Sequence, residues 1–181
     1  MTALAAQIDF ALMLIPPPKA DLAFAVVSGD LKSLEKRVGS FEQEALEWRI
    51  GLVAGLRKVL SQADAGIKDI QEEEKLDVVR RLFFPLNDLF EGMIRDFSTP
   101  MHVEPEFATK IEEISKLSSS AGKFVRKLMR RVEKIRVAQY NACIDVYYAL
   151  LAFQSEFDRE STGPSFTDGN SAEEFLRKQF V

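Results

Sequence analysis

The chain has 181 residues, 46% of them apolar and 29% charged, with nine Gly and seven Pro. That is one domain's worth, able to bury roughly 70% of its unfolded surface without cross-links, and the composition leans helical. A net charge of -4 excludes a global attraction to nucleic acid or anionic membranes, while the single Cys143 excludes an internal disulfide and points to a reducing compartment.

The opening MTALAAQIDFALMLIPPPK lacks a cationic leader, carries Asp9, and has only a short apolar run from Phe10 to Ile15. It does not read as a signal peptide, and no stretch approaches the ~20 apolar residues of a membrane span. A cytoplasmic location is the resulting expectation. Residues 2–14 fit a short helix through Leu4, Ile8, Ala11 and Leu12 that stops at Pro16-Pro17-Pro18. Residues 1–18 are thus an arm on a helical domain expected to span 1–160.

A second helix fits 19–38, with Ser28-Gly29-Asp30 as its weak point. Gly39 ends it, and Ser40-Phe-Glu-Gln43 has the capping-box pattern of a new start. The inward row there is Phe41, Ala45, Trp48, Leu52, Gly55 and Val59, up to a stop at Gly66. Gly51 and Gly55 lie four apart, the spacing that lets another backbone approach closely, so a tight helix crossing is expected there ahead of a ligand notch. A further helix over 67–97 carries Leu76, Val79, Phe83, Leu86, Phe90, Met93 and Phe97, with Pro85 inside it. An interior proline costs about 3 kcal/mol, yet the spacing continues past it, which predicts one bent helix, with two helices broken tightly at Phe84 as the alternative.

STPMHVEP at 98–105 is a loop by composition. From Phe107 to Phe153 a four-three rhythm runs through fourteen positions, twelve of them apolar, so a heptad-like seam predicts a coiled-coil-like helix over about 105–160. Unbroken, it would be about 84 Å long. Ser118-Ser-Ser-Ala-Gly122 is the one place where it breaks, if it breaks. The fold class is therefore all-α: an elongated helical bundle of one long helix and antiparallel shorter ones. STGPSFTDGN at 161–170 reads as a linker, and 171–181 as a short helix or tail whose Phe175, Leu176, Phe180 and Val181 fit a partner groove or the chain's own bundle.

With the seam at heptad positions a and d, Lys123, Arg126, Lys127, Arg130 and Lys134 face outward, and Arg131 and Arg136 flank the seam. Residues 123–136 sum to +6, leaving -10 for the rest of the chain. The strip is either a solvated face or a site for an anionic partner, and with Phe124 its single aromatic and no Gly-rich loop it is a weak nucleic-acid signal. Beyond it the outward positions become Val137, Tyr140, Ile144, Tyr147, Tyr148 and Leu151, so this half is apolar all round and must be central or covered. Shorter helices cannot cover a 50-residue seam, which points to a homodimer or another protein partner unless the helix folds back at Ser118–Gly122.

Nothing carries a catalytic signature. His102 is a lone loop histidine, and Cys143 sits on the apolar half. Glu104, Glu72-Glu73-Glu74 and Glu112-Glu113 lack the inward Glu-x-x-His pairing of a di-iron bundle, and no zinc spacing, phosphate loop or dinucleotide fingerprint occurs. The expectation is a non-enzymatic protein–protein interaction module without cofactor or metal, self-associating through the long helix. Binding of an anionic polymer or membrane surface by 123–136 stands second, and a helical-bundle enzyme without a motif third.

Overall fold

The computed structural model describes residues 3–22, 28–99 and 105–158. Among them all regular structure is helical: α1 (Leu31–Ile67), α2 (Glu72–Ser98), α3 (Pro105–Leu117) and α4 (Ser119–Ser155), preceded by 3-10 turns at Ala5–Gln7 and Ala11–Leu14. The all-α bundle read from the sequence is thus the observed class. Residues 159–181, with the proposed linker and Phe175–Val181, lie outside the described residues, as do His102 and Glu104. The described residues form two compact units, one within 1–14, 51–96 and 141–181, the other within 15–50 and 97–140.

Three local expectations are corrected. The first concerns residues 2–14, which form two 3-10 turns instead of one helix. Ile8 is extended (φ -97°, ψ 128°), and the Asp9 carboxylate accepts from the Ala11 N–H at 3.0 Å, a local turn that competes with helix. The second concerns Gly39, where α1 continues instead of stopping. Leu34, Val38, Phe41, Ala45, Trp48 and Leu52 are all buried in unbroken four-three spacing. Burying one large apolar side chain contributes about 1.5–3 kcal/mol, which outweighs the ~1 kcal/mol cost of a helical glycine. The actual start of α1 is the predicted weak point: Gly29 adopts φ +71°, and Asp30 Oδ1 accepts from the N–H groups of Lys32 and Ser33, both at 3.1 Å.

The third correction is the largest. The helix expected over 105–160 divides at Ser118. A Cβ placed on Gly122 would lie 2.9 Å from Ser115 Cα. Seven residues of straight helix would separate these positions by about 10 Å, so the chain doubles back sharply. Ser118 N donates to Ile114 O at 3.1 Å, closing α3. Ser118 Oγ accepts from Ala121 N at 3.3 Å, capping α4. The turn lets both arms of the seam bury against one core: Phe107, Val125, Leu128, Val132 and Ile135 join Leu22, Leu34, Val38, Phe41 and Ala45. Ile111 and Ile114 pack on the same cluster. The seam is closed inside the chain, and the length argument for a second subunit falls away.

The unit containing α2 is more aromatic. The helix passes through Pro85 without interruption and buries Val79, Leu82, Phe83, Leu86 and Phe90, while Pro85 itself stays exposed. Phe83 meets Phe153 edge-on at 5.4 Å, and Phe153 meets Phe157 at the same separation. Asn87 and Gln154 exchange amide hydrogen bonds at 3.2 and 3.3 Å. Of the two spaced glycines only Gly55 is crowded, its virtual Cβ falling 2.8 Å from Leu12 Cβ and 3.3 Å from Met13 N, whereas Gly51 has open space. The close approach is made by a 3-10 turn, not by a crossing helix.

Candidate interaction surface

At about 100° per residue, positions 123, 126, 127, 130 and 134 of α4 fall within an arc of about 100° and a length of about 16 Å. Lys123, Arg126, Lys127, Arg130 and Lys134 are all exposed there, and none makes an ion pair among the described residues. The two cations beside the seam behave differently. Arg131 pairs with Glu42 of α1. Arg136 donates to the Thr99 carbonyl at 3.1 Å and lies 3.6 Å from Glu133. Heptad phase therefore separates the cations that stitch the unit from those that face water.

The row ends on Val137, which is 48% exposed. Arg130, Glu133, Lys134 and Val137 line a shallow crease on the surface. Further along α4 the six expected interface residues divide. Val137, Tyr148 and Leu151 are exposed, whereas Tyr140, Ile144 and Tyr147 are half-buried. The rings of Tyr147 and Tyr148 meet edge-on at 6.1 Å. Burial raises the pKa of Asp145 on the same stretch. Cys143 is buried, and burial pushes its thiol up to about 12. It is protonated at neutral pH and is no nucleophile there.

Sequence reasoning missed one polar position. Gln139 is fully buried; its Nε2 donates to Pro18 O at 3.1 Å, and its Oε1 has no partner among the described residues. In the same unit Trp48 Nε1 donates to Ile15 O at 2.9 Å. Prolines lack an N–H but keep their carbonyl acceptors, so these two side chains fasten the 15–18 segment where a backbone ladder cannot. The signal was present: Ser118 and Gln139 are the two polar positions of the seam. One marks the turn and the other the fastening.

Among the described residues no three His, Cys, Asp or Glu side chains gather as a metal site, and no helix is long and apolar enough to cross a membrane. No protein-family model, curated protein or solved structure matches the chain.

Proposed function

We propose that the protein is a non-enzymatic interaction module, an adaptor, regulator or assembly protein of the cytoplasm, whose outward α4 face receives an acidic protein surface. One observation carries this reading: five exposed cations share one helical face without an ion pair, while their two seam-side neighbours are satisfied within the chain. Such a row attracts a partner's carboxylates and orients it, contributing more to encounter rate and specificity than to raw affinity. The adjoining Val137 gives the face an apolar contact as well. A protein surface fits better than a nucleic acid, because the one aromatic among the five cations, Phe124, packs against the core and the rest of the chain sums to -10.

The test is binding of a labelled helical peptide with glutamates at i, i+4, i+7 and i+11, measured by fluorescence anisotropy at low and high salt. Binding should fall at least ten-fold in the triple variant Arg126→Gln, Arg130→Gln, Lys134→Gln. Absent binding, or binding indifferent to the variant, removes the proposal. Tighter binding to duplex DNA, RNA or anionic vesicles, lost in the same variant with a steep salt slope, would reassign the face to an anionic polymer or lipid.

A further inference from the structure

The unit that carries the basic row also displays an acidic and apolar stretch on α1. Glu44, Leu46, Glu47 and Ile50 are exposed there, with Leu46 at 44% and Ile50 at 61%. Glu44 and Glu47 make no ion pair among the described residues. Glu47 is oriented by the Gln43 amide, which donates to it at 2.7 Å. Within Glu44–Ile50 the one cation is Arg49, which is half-buried, unlike Glu44, Glu47 and Ile50. An exposed isoleucine beside uncompensated carboxylates is the counterpart of an exposed valine beside uncompensated cations.

The order of side chains matches as well as the chemistry. On α4 Val137 stands three residues after Lys134 and seven after Arg130; on α1 Ile50 stands three residues after Glu47 and six after Glu44. Laid side by side in parallel, with one turn of helix about 5.4 Å long, the two stretches bring cations to carboxylates and Ile50 to Val137. Reversing the direction sets Ile50 against the cations and forfeits the apolar contact.

We infer that Glu44–Ile50 of a second copy of this chain docks on the Arg130–Val137 face of the first. This rests on the proposed acceptor role of the α4 face and names one occupant for it. In a twofold pair the contact is made twice, since each copy offers both the acidic and the basic surface. The association uses the outer faces of α1 and α4, not the seam, which is already filled within the chain. It is charge-assisted and solvent-facing, so salt weakens it.

A charge swap tests this directly. One variant carries Arg130→Glu and Lys134→Glu, the other Glu44→Lys and Glu47→Lys. All four positions are exposed, and retained helical circular dichroism confirms that each variant folds. Mass is followed by light scattering over a concentration series. The unaltered protein should approach twice the monomer mass, and each variant alone should self-associate at least ten-fold more weakly. An equimolar mixture of the two should recover the doubled mass, because each native surface then meets its native counterpart and the reversed surfaces also complement one another. A monomer at every concentration, a dimer indifferent to both variants, or a mixture that stays monomeric overturns the inference. If it falls while the glutamate peptide still binds α4, the broader reading stands; if peptide binding is lost too, both are wrong.

Discussion

Two stretches of the 15–50/97–140 unit carry the same kind of helix-stopping signal and give opposite outcomes. At Val38-Gly39-Ser40 the helix runs on, while at Ser118–Gly122 it ends and the chain doubles back. Local propensity does not distinguish them, since each has a glycine and at least one serine. Core access does. A straight α1 keeps Leu34, Val38, Phe41 and Ala45 on one cluster, so stopping at Gly39 would forfeit burial. A straight 105–155 would carry Phe107 and Ile111 beyond that cluster, so stopping at Ser118 gains burial. Helix signals are permissions, and the hydrophobic core decides which are used.

The glycines record the difference. Gly122 is required, because a Cβ there would sit 2.6 Å from Ser115 Oγ and 2.9 Å from Ser115 Cα. Gly39 is not, because nothing among the described residues lies within 4 Å of the equivalent point.

Removing the core contact that rewards the turn should have the largest effect. Phe107→Ala should cost about 3–5 kcal/mol in urea unfolding; a loss below 1 kcal/mol would mean that burying α3 does not drive the reversal. Next, Gly122→Ala should destabilise by about 1–3 kcal/mol through overpacking against backbone, and a neutral result would refute the close crossing. Gly39→Ala runs the other way, stabilising by about 0.5–1 kcal/mol with no change of fold. A destabilising result there would reveal a role for Gly39 that its open surroundings do not show. Ser118→Ala removes a long capping bond of 3.3 Å and should cost only about 0.5 kcal/mol. That outcome would separate the chemistry of the turn from the packing that selects it.

Ionisation of Cys143 affects stability only at alkaline pH, and its thiol reports whether damage stays local. Cys143 lies in the other unit, buried, with its pKa raised from 9.0 to about 12. Its native state holds a proton that the unfolded chain releases above pH 9, so stability should fall as pH rises from about 9 toward 12 and be insensitive to this group below that window. Cys143→Ser or Cys143→Ala should flatten that alkaline slope. At pH 8 thiol labelling of Cys143 then reports opening of its surroundings. Acceleration by Gly122→Ala would show the two units unfolding together, and an unchanged rate would show that the Ser115–Gly122 turn loosens alone.

Much of the helical organisation was legible. The seam residues Val125, Leu128, Val132, Ile135 and Val146 are buried where the four-three rhythm put them. The passage of α2 through Pro85 followed from apolar spacing that continued beyond it. The five outward cations of α4 were separable from Arg131 and Arg136 by heptad phase alone. The 3-10 turns at Ala5–Gln7 and Ala11–Leu14 were not, because Leu4, Ile8 and Leu12 mimic helical spacing while Asp9 redirects the backbone locally. The acidic, apolar stretch at Glu44–Ile50 was overlooked because Leu46 and Ile50 stand off the inward row of α1.

By itself, then, the sequence determined which faces of its helices are apolar and which outward positions carry charge, because side-chain order along a helix fixes both. Where the helices start, turn and end was decided only by the tertiary structure. Gly39 and Ser118–Gly122 are each permissive, and the choice between them depends on what a straight or a folded chain can bury. The position of Gln139 against Pro18 belongs to the same class: its polarity was visible in the seam, but its partner lies 121 residues away and is supplied by the fold.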